Sequence, residues 1–289
     1  MQLGIFAKTF VRPTLGETLD AVVNHGLDCI QFNFSSVGLP TLPERIDAAL
    51  AGQIHRELTA RRLTMAAVSG TFNLIHPDPQ ARRAGLERLK VLIAVARQLG
   101  TSVITLCTGT RDPDDMWRRH PDNDSTEAWR DLIASLSEAL PVAEASNITL
   151  AFEPEIANVV DSARKGRRLL DEVKSSHLKV VMDGANLFHP GEQPHMKEIL
   201  SEAFDLLGSD IVLAHAKDLR LSAKTRTVAA GKGSLNYELY LTLLDGVGFS
   251  GPLILHGLEE AEVPEWVAFL REKMKTKPIA LQFQMKASK

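Results

Sequence analysis

Cysteine is scarce in this chain, with Cys29 and Cys107 the only two among 289 residues. Each lies inside an apolar run, so both are expected to be buried structural thiols, and no disulfide framework or cysteine-rich zinc site can be built from them. Long apolar runs are missing too. The longest, residues 91–96, falls far short of the ~20 residues a membrane span needs, and the N-terminus shows no basic-then-apolar leader pattern. The expectation is a soluble, cytoplasmic protein with no membrane partner. Neither sign of charge is in surplus: 33 basic residues face 36 acidic ones for a net charge of -3, so nothing electrostatic calls for nucleic acid. No G-x-G-x-x-G or G-x-x-x-x-G-K-[ST] loop opens a helical pattern, which counts against a dinucleotide or nucleoside-triphosphate site. What is present is 44% hydrophobic and 24% charged residues, enough to bury a sizeable core.

Short apolar or β-branched runs alternate with longer amphipathic ones. The short runs, residues 3–6, 29–32, 64–68, 102–106, 148–152, 179–182, 211–214 and 252–255, have strand length and are bounded by turn residues. Helical patterns with start and stop signals follow them at 14–26, 43–62, 79–100, 125–146, 161–174, 193–208, 235–248 and 263–275. Strict alternation implies parallel strands, in an open doubly wound sheet or a closed barrel, and eight units favour an α/β fold of the (β/α)8 TIM barrel type. No composition break marks a linker, so residues 1–275 are expected to form a single domain. Residues 276–289 are expected to be a basic C-terminal tail that frays or docks on a neighbour.

In such a barrel, chemistry lies at the C-terminal ends of the strands. Glu153, Asp183, His215 and His256 directly follow the apolar runs of strands five to eight and stand 30, 32 and 41 residues apart, about one βα unit each. Four neighbouring strands would thus aim one metal-ligand side chain each at a common point. Two carboxylates with two imidazoles suit one divalent ion of borderline softness, Mn, Zn, Co or Fe, better than Mg or Ca. Around this set, Glu155 is a candidate base or partner of a ligand. His76, Asn158 and Lys217 are candidate substrate contacts, with Asp218 placed to orient Lys217. The loop 111–124 exceeds the usual βα connection and carries Trp117, Arg118 and Arg119, a candidate substrate wall or lid. Lys232, between Gly231 and Gly233, is a candidate phosphate contact.

The runs Ala151-Phe152-Glu153, Val181-Met182-Asp183 with Ala185-Asn186-Leu187, His215-Ala216-Lys217-Asp218, Gly231 to Tyr237 and Gly248-Phe249-Ser250-Gly251-Pro252 resemble the xylose isomerase-like superfamily of sugar phosphate isomerases and epimerases. The resemblance covers residues 1 to about 272. It implies a TIM barrel that binds one divalent metal, often manganese, through Glu, Asp, His and Glu. Glu153, Asp183 and His215 match the first three. At the fourth position the resemblance implies glutamate and this chain has His256, which tilts the expectation from two-base epimerisation towards 1,2-isomerisation or dehydration. The family's Asp-x-x-His is altered to Asp183-Gly184-Ala185-Asn186, which makes Asn186 a candidate substrate contact. The expected function is therefore a metal-dependent sugar or keto-polyol isomerase or epimerase. It works by proton abstraction next to a carbonyl, with Glu153, Glu155 and His256 as its catalytic groups and a small sugar or sugar phosphate as partner. A keto-polyol dehydratase and a non-catalytic sugar-binding module are the alternatives, and a homo-oligomer is allowed. An endonuclease IV-like nuclease is disfavoured, since strand four ends in Cys107-Thr108 and offers no further ligand.

Overall fold

A computed structural model describes residues 1–219, 227, 228, 231 and 233–275. Lys232 and residues 276–289, for which a phosphate contact and a basic tail are expected, lie outside the described residues. Eight parallel strands close into a barrel: β1 (Gln2–Phe6), β2 (Cys29–Phe32), β3 (Thr64–Ser69), β4 (Val103–Cys107), β5 (Thr149–Glu153), β6 (Leu178–Asp183), β7 (Ile211–Ala216) and β8 (Pro252–Leu255). They neighbour one another in chain order, and β8 pairs with β1 to complete the ring. Outside run α1 (Leu15–Asn24), α2 (Ala48–Ala60), α3 (Pro79–Leu99), α4 (Thr126–Ala145), α5 (Ala163–Val173), α6 (Met196–Leu207), α7 (Tyr237–Gly246) and α8 (Val263–Lys275).

The helices begin where side chains can satisfy free N–H groups. Thr14 and Glu17 form a capping box at α1, and Asp78, Ser125, Ser162 and Asn236 each accept from the first turn of the helix they precede. The second helix starts at Ala48, later than Pro43 suggests, because Asp47 is the residue that caps it, its Oδ1 taking the N–H of Ala49 at 2.8 Å. Between barrel and helices lies a continuous apolar core that includes Leu19, Ile54, Leu92, Leu136, Leu169, Phe204, Tyr240 and Trp266. Among the described residues no helix is long and apolar enough to cross a membrane.

A second, smaller cluster fills the barrel itself: Phe6, Cys29, Ala67, Ala151, Val181, Leu213 and Ile254. These are inward positions of their strands. Gly4 stands level with Cys29 and Ile254, one inward step below Phe6, and a Cβ there would lie 2.5 Å from Cys29 Sγ and 2.7 Å from Ile254 Cδ1, so only glycine lets the strands approach this closely. Side chains alternate along a strand, so two positions further on the chain again faces inward. Those positions are Gln31, Ser69, Glu153, Asp183, His215 and His256. An apolar plug below and a polar layer above thus follow from a period of two.

Candidate metal centre at the barrel mouth

Glu153, Asp183 and His215 are the last or nearly last residues of their strands, and His256 follows β8 directly. Ladder register sets Asp183 beside His215, and His256 N–H donates to the carbonyl of Ala216 at 3.1 Å. As a result the four side chains bring one ligand atom each within 4.8 Å of one another. His215 Nδ1 lies 3.3 Å from Glu153 Oε1 and 3.7 Å from Asp183 Oδ2, and His256 Nδ1 lies 4.0 Å from the same Asp183 oxygen. Two of these buried atoms, Asp183 Oδ2 and His256 Nδ1, have no hydrogen-bond partner. Buried polar atoms are costly without partners, and here the orphans face each other. Two carboxylates and two imidazoles converging in this way fit a divalent ion.

Surrounding groups hold Glu153, Asp183 and His215 in place. Asp183 Oδ1 accepts from the Ala185 N–H at 2.9 Å, leaving Oδ2 for the centre. Asn186 Nδ2 donates to Glu153 Oε1 at 2.6 Å while its Oδ1 accepts from Lys217 Nζ at 2.7 Å, so one amide aligns both. Gln31 Oε1 sits 2.9 Å from His215 Nε2, and Gln31 Nε2 donates to Thr105 Oγ1 at 2.9 Å. With its amide nitrogen committed as a donor, Gln31 offers His215 an acceptor. The imidazole then carries its proton on Nε2 and turns the lone pair of Nδ1 to the carboxylates. Tyr240 Oη bridges the carbonyls of Met182 (2.8 Å) and His215 (3.1 Å), tying β6 to β7 at the level of the site.

Electrostatics here favour positive charge. Burial alone pushes the Asp183 carboxyl up, but Lys217 and the two histidines outweigh it and hold it at about 2. Burial disfavours a charged His215, yet Glu153 and Asp183 raise it to about 9. A proton on Nδ1 and a cation compete for the same electron pair. His256 is driven well below the usual histidine range by burial and by the charges of Lys217 and His215, so its imidazole is neutral. Burial pushes Glu155 up to about 7 against the pull of Lys217.

The other candidates divide. Lys217 is buried at the centre, and Asn186 lies between it and Glu153. Asp218 turns away, accepting from the N–H groups of Leu219, Gly231, Gly233 and Leu235 instead of orienting Lys217. His76 has both ring nitrogens engaged by loop backbone, at Asp78 N and Pro113 O. Asn158 is fully buried and its Oδ1 accepts from Gly109 N–H at 2.7 Å. Together with Asn73 and Asn123, which bond Thr110 and Arg111, it staples the loop after β4. On that loop Trp117 is 57% exposed. Both cysteines are free and buried. Gln31, Phe6 and Lys8 escaped notice in the sequence. A glutamine inside the apolar run Cys29-Ile30-Gln31-Phe32 is the signal that marks the first of them.

Residues 19–273 match the family model described as xylose isomerase-like TIM barrel. No curated protein matches the chain. Among solved structures it is similar to a xylose isomerase domain protein from Planctomyces limnophilus, with a TM-score of 0.74, 17% identity, and 94% of this chain and 95% of that one covered. The IOLI protein with a binding zinc atom gives a TM-score of 0.72 at 16% identity over 95% and 96% of the two chains. The 3-keto-D-glucoside 4-epimerase of E. coli gives 0.72 at 16% over 94% and 99%. At such identities the likeness is one of fold, and the family match extends over most of the sequence: the chain belongs to the xylose isomerase-like TIM barrel family.

Proposed function

We propose that this protein is a divalent-metal-dependent enzyme that isomerises or epimerises a small sugar or keto-polyol by moving a proton next to a carbonyl. The observation that carries this is the convergence of Glu153, Asp183, His215 and His256, with two buried ligand atoms facing each other unpartnered. These four would hold the ion. Once bound, it supplies an electrophile for a substrate carbonyl; manganese is our first choice, with zinc, cobalt or iron as alternatives. The chain's own groups do the rest. Lys217 Nζ, fixed by Asn186, donates a hydrogen bond to a substrate oxygen. Glu153 Oε1 accepts from Asn186 Nδ2, and Oε2 has no hydrogen bond among the described residues, in position to take the proton. Glu155 is the second carboxylate at the same strand end. The enediolate so formed is common to isomerisation, epimerisation and dehydration.

One observation favours a one-base outcome within this class. The Asp183 side chain is fully enclosed at 0% exposure whereas Glu153 is 19% exposed, and β8 delivers an imidazole. Glu153 is then the only carboxylate of the four with an oxygen open to the mouth. A 1,2-isomerisation or loss of water from a keto-polyol suits that arrangement better than proton transfer on both faces. The test is metal content by mass spectrometry of protein purified without chelator, followed by solvent-deuterium incorporation into a panel of sugars and keto-polyols. About one ion per chain is expected, lost in Asp183→Ala and weakened in His256→Ala, with deuterium entering at the carbon next to the carbonyl. A metal-loaded protein that exchanges deuterium into none of them refutes the enzyme and leaves a sugar-binding module.

A further inference from the structure

The barrel mouth carries a lysine that the proposed chemistry does not use. Lys8 follows β1 in the turn Ala7–Thr9, and its Nζ stands 5.2 Å from the centroid of the Phe6 ring. That ring lies 4.6 Å from the His256 ring and 5.6 Å from the His215 ring. The ammonium is therefore within about 10 Å of the His256 ring, a distance that a six-carbon polyhydroxy chain spans. Its charge is felt at His256.

The arginines of the loops after β1 and β4 are matched among the described residues. Arg12 pairs with Glu260, Arg118 with Asp112 at 2.5 Å, Arg119 with Asp161 at 2.9 Å and Arg111 with Asp131 at 2.7 Å. Within the site, Lys217 Nζ lies 3.9 Å from Asp183 Oδ2 and donates to Asn186 Oδ1. The carboxylate of Asp218 is taken up by four backbone N–H groups. Among the described residues Lys8 has no hydrogen bond or ion pair, and it is exposed. Lys8 is thus a positive charge with no counter-charge among the described residues, held over an aromatic face beside the four-residue centre.

We propose that Lys8 recognises an anion: the substrate bound at the four-ligand centre carries a carboxylate or phosphate group that pairs with the Lys8 ammonium at the end remote from its reacting carbonyl. This rests on the reading of the centre as a sugar or keto-polyol site and narrows it to anionic members of that class. The ring of Phe6 fixes the cation from beneath and excludes water from one side, so the pairing is stronger than between freely solvated groups.

The test is calorimetric titration of the metal-loaded full chain with three ketoses: neutral D-fructose, and D-fructose 6-phosphate and D-fructuronate, which both carry their anion on C6, remote from the C2 carbonyl. At least one anionic probe is expected to bind about tenfold or more tightly than D-fructose, and which one it is separates phosphate from carboxylate recognition. In Lys8→Met that ratio should fall to within about twofold, and in Lys8→Arg it should persist, with metal content unchanged in both. Equal binding of neutral and anionic probes, no binding by any of the three, or a preference that survives Lys8→Met overturns the proposal. A Lys8-dependent preference with no deuterium incorporation upholds it and refutes the enzyme. Deuterium incorporation into neutral sugars without any preference does the reverse.

Discussion

At the scale of single residues, the centre depends on which atom each ligand presents, and neighbours outside the ligand set decide that. Gln31 is the clearest case, since its amide lies between the Thr105 hydroxyl and His215 Nε2 and thereby turns Nδ1 towards Glu153 and Asp183. Gln31→Leu keeps the volume and removes the acceptor. Metal affinity, measured by competition against a chromophoric chelator, should drop about 10–100-fold, and Gln31→Glu, which restores an acceptor, should recover most of the loss. Unchanged affinity in Gln31→Leu would show that His215 is not oriented this way. None of this is visible along the chain, because Gln31 and His215 stand 184 residues apart.

At the scale of elements, alternation along each strand sorts the barrel interior into an apolar plug and a polar layer, and ion pairs at the opposite end lock strands to helices. Asp210, in the turn that leads into β7, meets Lys179 of β6 at 2.6 Å and Arg167 of α5 at 3.0 Å. Burial pushes its carboxyl up, but the two cations outweigh it and hold it below the usual carboxylate range. The folded state therefore binds its proton less readily than the unfolded chain. The stabilisation is present above the unfolded value of about 4 and disappears as pH falls through the folded one. Asp210→Asn should lower Tm at pH 7 by about 2 °C, corresponding to roughly 1 kcal/mol for a partly screened pair. Thermal melts should converge with those of the parent protein as acid protonates the folded carboxyl below the unfolded value of about 4, and a difference undiminished by acid would exclude this cause. Helix and strand boundaries were mostly legible at this scale. Residues such as Glu153, Asp183 and His215 were expected just after their strands, because an apolar pattern stops at the first polar residue. In the closed barrel the ladder runs on through them, as the inward position at the mouth is polar and still hydrogen-bonded.

At the scale of the whole molecule, the four candidate ligands come from four different strands, so ion binding would be coupled to barrel closure. An ion that binds only the folded barrel raises its stability by about 2.7 kcal/mol at a hundredfold excess over Kd, which for a chain of 289 residues corresponds to about 4 °C in Tm. Manganese or zinc should produce that rise in the parent protein and chelator should reverse it, whereas Asp183→Ala should show neither. A melting temperature indifferent to every divalent ion would remove the metal centre altogether.

The sequence by itself determined the alternation of eight strands and eight helices, the parallel barrel and the strand-end positions of Glu153, Asp183, His215 and His256. Local periodicity, caps and one-unit spacing encode all of these. Only the tertiary structure decided that Asp183 Oδ2 and His256 Nδ1 face each other unpartnered. It likewise decided that Asn186 joins Lys217 to Glu153, that Asp218 binds backbone instead of orienting Lys217, and that Lys8 stands over Phe6 with no counter-charge among the described residues. The physical reason is that closure of the ring brings together side chains from distant strands, and the direction in which each one points depends on packing across that ring and not on its neighbours in the chain.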